Sequence, residues 1–211
     1  SPLLIGGQYP NKSDEPDVTY WTTADGKPMI PGSSLKGVLR HRVDRIANVL
    51  QLPEKDRYIA YLFGSDDPKA EEGTGTLQLE DIVLTKERTK TYHRIAINPL
   101  TGGTKTGALL QEETVVGTFE TTLQFQLKEQ DADVSLALLL FALRDLALEK
   151  ITLGSGASIG RGFLNVEEIK MRELDQEVTF HVQMKETAGN TDWLRQLQQA
   201  LDAVIREEVA K

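Results

Sequence analysis

Apolar positions recur along this chain with two periods, near 3.6 residues and two residues, and the places where one gives way to the other predict a mixed fold. Leu35, Val38, Leu39, Val43, Ile46 and Leu50 keep the i, i+3, i+4 spacing of one buried helix face. Pro31-Gly32-Ser33-Ser34 opens that helix, with a serine in the N-cap role, and Pro53 stops it. A second helix is predicted over 56–62, ended by Phe63-Gly64, and a third, almost wholly apolar and so packed on a sheet, over 133–148. Residues 193–209 read as an amphipathic helix with Trp193, Leu197, Leu201, Val204 and Ile205 on one side. Strict alternation marks 76–84 and 118–128 as half-buried strands. Further strands are expected at 1–5, 18–23, 163–170 and 178–184, with a turn at 24–27.

In order this gives strand, helix, strand, strand, helix, strand, the βαββαβ succession of a ferredoxin-like α+β fold. Two stretches stand outside it. Residues 65–75 form a charged, glycine-containing loop, and 86–117 form a long polar insertion. Ile95-Ala96-Ile97 and Val115-Val116 suggest that the insertion contains paired strands, and an insertion of such length inside a compact domain is usually functional or disordered.

The 211 residues suit one domain with an appendage. Zero cysteines exclude a disulfide scaffold, a cysteine-ligated zinc site and a thiol nucleophile. The greasiest run, 134–143, is far short of the roughly 18 residues of a membrane span. The first ten residues carry no signal-peptide pattern. A soluble, cytoplasmic protein without a membrane partner is expected. Net charge of −8 counts against a nucleic-acid ligand unless cations are gathered locally. They are gathered in the insertion, at Lys86, Arg88, Lys90, His93, Arg94 and Lys105. Much of the acid lies elsewhere, at Glu54, Asp56, Asp66, Asp67, Glu71, Glu72 and in the last helix.

Three further constellations carry chemistry. In IPGSSLKGVLRHR (30–42) the unpaired N–H groups of a helix start, with Ser33 and Ser34, make an anion seat. Lys36 and Arg40 lie on one face there, and Arg42 and Arg45 extend it; the plain alternative is a solvated helix face. In LGSGASIGRG (153–162), Gly154, Gly156, Gly160 and Gly162 permit close backbone approach, and Ser155, Ser158 and Arg161 suit phosphate. That stretch fits neither a P-loop nor a dinucleotide fingerprint, and it reads equally as a tight turn. Asp14, Glu15 and Asp17 cluster as cation or proton acceptors, or simply as solvated loop. His41, His93 and His181 lack metal-ligand spacing. Tyr9, Tyr20, Trp21 and Tyr92 are candidates for stacking on bases, although Trp21 suits a core strand as well.

Together SPLLIGG, IPGSSLKGVLRHR, LFG, HRIAINPLTGGTKTGALLQEETVVGTFE and LGSGASIGRGFLNV, in this order, resemble the RAMP superfamily (repeat-associated mysterious proteins), and within it the guide-RNA (crRNA) backbone subunits of type III CRISPR effectors of the Csm and Cmr kind. The resemblance implies a RAMP domain over 1–172, a modified RNA-recognition fold whose thumb is the insertion at about 86–117. Residues 173–211 are an extension with no counterpart. Its first strand is completed by residues ahead of Ser1 in the family, which suits a fragment or one module of a fused protein. The implied partners are crRNA, single-stranded target RNA and other effector subunits, including stacked copies or related modules. RNA contacts would fall on Ser33, Ser34, Lys36, Arg40, His93, Arg94, Thr101, Gly154, Gly156, Ser158, Gly160 and Arg161. The thumb would kink the guide–target duplex, so that a 2′-hydroxyl attacks its neighbouring phosphate, with Asp17 (or Asp14) as the catalytic aspartate. Asp17 would also be the ligand of a divalent cation, Mg2+ or Mn2+. Ile159 departs from the family, which often has an arginine there; Arg161 follows two residues on. Two alternatives remain: a catalytically inactive crRNA-binding module, and a crRNA-processing endoribonuclease using His93 or His41. A nucleotide-binding regulator lacks the lysine it would need.

Overall fold

A computed structural model describes residues 1–8, 15–65, 74–125, 131–173, 176–182 and 186–209. In chain order its elements are β1 (Gly6–Gln8), β2 (Thr19–Tyr20), β3 (Met29–Ile30), α1 (Gly32–Val49), α2 (Lys55–Phe63), β4 (Leu77–Gln78), β5 (Ile82–Val83), β6 (Thr85–Ile97), β7 (Thr104–Thr118), β8 (Gln124–Phe125), α3 (Ala132–Ala147), β9 (Glu168–Glu173), β10 (Gln176–His181), β11 (Glu186–Gly189) and α4 (Thr191–Val209). A 3-10 turn occupies Ala157–Ile159. The fold is α+β, with small antiparallel sheets, and the expected succession is present as β3, α1, β4 and β5, β8, α3 and β9. The insertion forms one hairpin, β6 and β7. Among the described residues no helix is long and apolar enough to cross a membrane.

The chain divides into two compact units. The first comprises Ser1–Leu35, Glu80–Thr121 and Thr152–Phe163. Its β3 pairs with β5, Met29 opposite Val83 and Ile30 opposite Ile82, and Ile30, Leu35, Ile82 and Leu84 are buried. Leu3 exchanges both backbone hydrogen bonds with Val115, at 2.7 and 2.9 Å, while the flanking carbonyls of Pro2 and Leu4 accept the amides of Gly162 and Ser155. Thus residues 1–5 are extended, as expected, although only Leu3 forms a bridge. Two glycines make this contact possible. A Cβ on Gly154 would lie 2.5 Å from the Leu4 carbonyl oxygen, and one on Gly162 2.2 Å from that of Leu153, and both residues have φ near +80°. The hairpin runs from Thr85 opposite Thr118 to Ile97 opposite Thr104, with register shifts between Thr85 and Arg88 and between Ile95 and Ile97, arms of roughly 40 Å at the usual strand rise.

The second unit comprises Lys36–Leu79, Thr122–Ile151 and Leu164–Lys211. Leu39, Val43 and Ala47 of α1 are buried, as are Tyr58, Ile59, Leu62 and Phe63 of α2. α3 contacts both α2 and α4, and α4 buries Trp193, Leu197 and Leu201 along one stripe. Asp145, itself buried, ties α3 to α1 by accepting two bonds from Arg42, at 2.7 and 2.5 Å. Arg42 therefore serves the interior of this unit rather than an open basic face.

Several expectations needed correction. The helix start at Pro31-Gly32 is capped by Asp81, whose carboxylate accepts the Gly32 amide at 2.8 Å, and not by a serine. Residues 76–84 do not make one strand. They break at 79–81 because β4 pairs with β8 while β5 pairs with β3, and the break is what lets Asp81 reach the helix. The expected strand at 118–128 is two residues long among the described residues, since its partner β4 offers only two. The strand expected at 163–170 begins at Glu168 and pairs with β10, so position 172 falls inside β9. β11, wholly exposed and polar, carries no apolar alternation by which to find it.

Two stability measurements test this account. Asp145→Ala strands a largely buried guanidinium and should cost about 3 kcal/mol in urea unfolding; a loss under 1 kcal/mol would show that Arg42 finds water easily. Gly160, with φ +80° but open space around a Cβ, should cost about 1 kcal/mol as alanine. Gly162→Ala should cost clearly more, through its overlap with Leu153, and equal losses would contradict the packing described.

Candidate nucleic-acid interface

Both faces of the hairpin are open along most of its length. On one face β6 presents Lys90, Tyr92 and Arg94 at alternate positions, opposite Thr114, Glu112 and Leu110 of β7. On the other, His93 stands opposite Gln111 and Ile95 opposite Leu109. The first face is a charged cluster. Glu112 accepts a hydrogen bond from Arg161 Nη1 at 2.9 Å and forms an ion pair with Arg94, whose Nε lies 2.7 Å away. The Tyr92 ring has Lys90 Nζ 4.9 Å and the Arg161 guanidinium 4.8 Å from its centre. Arg161, expected to contact phosphate, is 4% exposed and gives its charge to Glu112. His93 is exposed.

Beside β7 runs the segment that holds Asp17. Val18 donates to the Gln111 carbonyl at 3.1 Å and accepts the Glu113 amide at 2.9 Å, a short parallel pairing. Just ahead of them on β7, the Gln111 amide donates to Asp17 Oδ2 at 2.7 Å. The carboxylate thus fills a ladder position, and its Oδ1 has no partner among the described residues. Burial first, and then the charges of Glu113 and Glu87, raise the nearby Tyr20 phenol above its usual range. Asp14 lies outside the described residues. Among those described, no group of three or more His, Cys, Asp or Glu could hold a metal ion.

The outer half of the hairpin is apolar and exposed. Ile95 and Leu109, paired across the strands, are each 56% exposed and Leu100 at the turn is 94% exposed. The turn is closed by its own bonds: Asn98 and Gly103 pair, Gly102 donates to Asn98, and Thr101 Oγ1 accepts the Gly103 amide at 3.3 Å. Thr101 itself is exposed. An unpacked ribbon ending in branched side chains is a surface built to be covered. Over 85–118 five Lys and Arg face three Glu, a local excess of positive charge in an acidic chain.

The glycine-rich loop divides by role. Gly154 and Gly162 admit the residues 1–5 segment and the loop's own backbone, while a Cβ on Gly156 would crowd Arg161 Cδ at 2.9 Å. Ser155 bonds to Leu4 through both its amide and its hydroxyl. Ser158 and Gly160 are exposed at the tip, and Gly160 has open space beside it. Ser33 and Ser34 occupy the first turn of α1, whose leading amide is already taken by Asp81. In the second unit Lys36 Nζ donates to the Leu77 carbonyl at 2.9 Å and Arg40 Nη1 to that of Gly64 at 2.8 Å. Burial, and secondarily the charge of Arg40, lower the Lys36 ammonium pKa below its usual range. Glu112, Gln111 and Asp81 were not legible as site residues: each acts on a partner remote in sequence, and none belongs to a local motif.

Similarity to known proteins agrees with this arrangement. The family model of the RAMP superfamily matches residues 1–165. A chain in the cryo-EM structure of the type III-B Cmr-beta bound to cognate target RNA is similar with a TM-score of 0.55 and 13% identity, over 77% of this chain and 91% of that one. A chain of the apo state of type III-B Cmr-beta gives 0.54 and 14% over the same shares. Such distant likeness speaks for the fold, which is the ferredoxin-like arrangement read above. No curated protein sequence matches. With its match running through residue 165 of 211, the chain belongs to the RAMP superfamily.

Proposed function

We propose that the chain is a crRNA-binding backbone subunit of a type III CRISPR effector that cuts target RNA at a kink made by its hairpin. One observation carries this reading: Asp17 is fastened midway along a long, exposed hairpin that bears cations on one face and bare apolar side chains toward its end. Sequence would be read by base pairing with the guide, leaving the protein to grip backbone and shape. Arg94 and Lys90 suit the backbone. Ile95, Leu109 and Leu100 suit a wedge between nucleotides. The hydroxyls of Ser158, Ser33 and Ser34 offer further donors to guide phosphates, as does the Lys36–Arg40 pair, whose desolvated ammonium favours an anionic partner.

At the kink the target 2′-oxygen bonds to the adjacent phosphorus as the bond from phosphorus to the 5′-oxygen breaks. Asp17, through Oδ1, takes the hydroxyl proton or orients the nucleophile; most of the gain comes from placement. Asp17 would be the residue to hold a divalent cation, which would supply charge for the developing oxyanion, in keeping with the one or two carboxylates Mg2+ commonly uses. Other effector subunits and further copies complete the assembly. A second reading, a module that binds crRNA without cutting, is favoured by the same Asp17–Gln111 bond, since that bond gives the carboxylate a structural task.

Two measurements separate these readings in the reconstituted effector. Asp17→Ala should slow target cutting at least about a hundredfold, with crRNA and target binding within about twofold. Unchanged cutting would leave only the binding module. Arg94→Gln should weaken RNA binding for every sequence alike and lower the slope of log K against log salt by about 0.7, the share of one single-strand phosphate contact. An unaltered slope would remove Arg94 from the interface.

A further inference from the structure

The reaction proposed above leaves the cluster around Glu112 without a task. Its carboxylate joins three separate stretches: Glu112 on β7, Arg94 on β6 and Arg161 in the glycine-rich loop. The two cations are not equivalent. Arg161 is almost wholly out of water and lies over Tyr92, so its charge is committed to Glu112. Arg94 keeps 39% of its side chain exposed, meets Glu112 as an ion pair with Nε 2.7 Å from the carboxylate, and makes no hydrogen bond from its terminal nitrogens among the described residues. A guanidinium held this way still presents donors in a fixed fork, the geometry that matches a phosphodiester. Arginine also gives up much rotamer freedom when it binds, and a side chain already held gives up less. The backbone around Glu112 has a second duty. The Gln111 amide carries Asp17, and the Gln111 carbonyl and Glu113 amide, on either side of Glu112, pair with Val18.

We infer that Glu112, clamped by Arg161, is a positioning residue that serves two functional groups together. It turns Arg94 to offer its free nitrogens to a phosphodiester, and it steadies the 111–113 backbone from which Asp17 hangs. Loop, hairpin and Asp17 then move as one piece, so that grip on the backbone and placement of the carboxylate stay in step. What the two groups do rests on the function proposed above; how they are held does not.

The test uses Glu112→Gln, which keeps shape and removes charge, and Glu112→Gln/Arg161→Met, which removes both buried charges and strands neither. In the full chain, hydrogen exchange at the Gln111 amide should quicken at least about tenfold in Glu112→Gln, because the ladder to Asp17 loosens. In the reconstituted effector, single-turnover cutting at saturating target should fall at least about tenfold while target affinity stays within about threefold, a split expected of misplacement rather than lost binding. The double variant should melt close to wild type and cut no faster than Glu112→Gln. Unchanged exchange at Gln111, or wild-type cutting by the double variant, overturns the positioning role. Should the wild-type effector neither bind nor cut RNA, the proposed function falls instead, and the exchange measurement still decides how Asp17 is held.

Discussion

Alternate backbone groups of an extended chain point to opposite sides, and the stretch at residues 1–5 uses both sides at once. Leu3 faces Val115 at the base of the hairpin, while the carbonyls of Pro2 and Leu4 face the glycine-rich loop. Isolated two-stranded ribbons are marginal in water, so a hairpin with arms of 13 and 15 residues depends on whatever grips its base. Here that grip is five residues of extended chain on one side and the Val18 pairing on another. Gly154 and Gly162 are the condition for it, because a side chain at either would strike a carbonyl oxygen.

Charge in this unit is sorted by burial. Positive residues far apart in sequence end in different settings: Arg161 and Arg42 are spent within their own units, whereas Arg94 keeps 39% of its side chain exposed. Lys36 shows the cost of gathering cations. Its folded pKa lies below the unfolded one, so the unfolded chain binds more protons between the two values. Stability therefore rises with pH through that alkaline window, and below it the folded unit carries the full penalty of a desolvated ammonium. An anion arriving at this pair would offset that penalty.

The apolar outer hairpin follows the same logic in reverse. Ile95, Ile97, Leu100 and Leu109 each keep more than half of their surface in water, a state that contributes little to folding. Cations near the base and branched side chains near the end suit a ligand that is a polyanion outside and flat and apolar within. The Asp17 carboxylate is anchored midway along β7, on the Gln111 amide and next to the Val18 pairing.

Helices α1 to α4 and the paired strands of the insertion were legible because their signals are local: period, breaker residues and β-branched runs lie within a few positions of the elements they specify. The ordered motifs likewise pointed to the family. Much else depended on distance. The cap of α1 is a carboxylate 49 residues away, the break at 79–81 comes from two strands choosing different partners, and β11 is a strand only because β10 is beside it. Among the four loop glycines, the two pressed on a backbone carbonyl cannot be told in sequence from the one facing open space. Arg161 looked like Arg94 until Glu112 stood next to both. A chain carries its chemistry and its short-range periods in plain order, but which charge is consumed inside and which is left for a ligand is set by what folding brings within 3 Å.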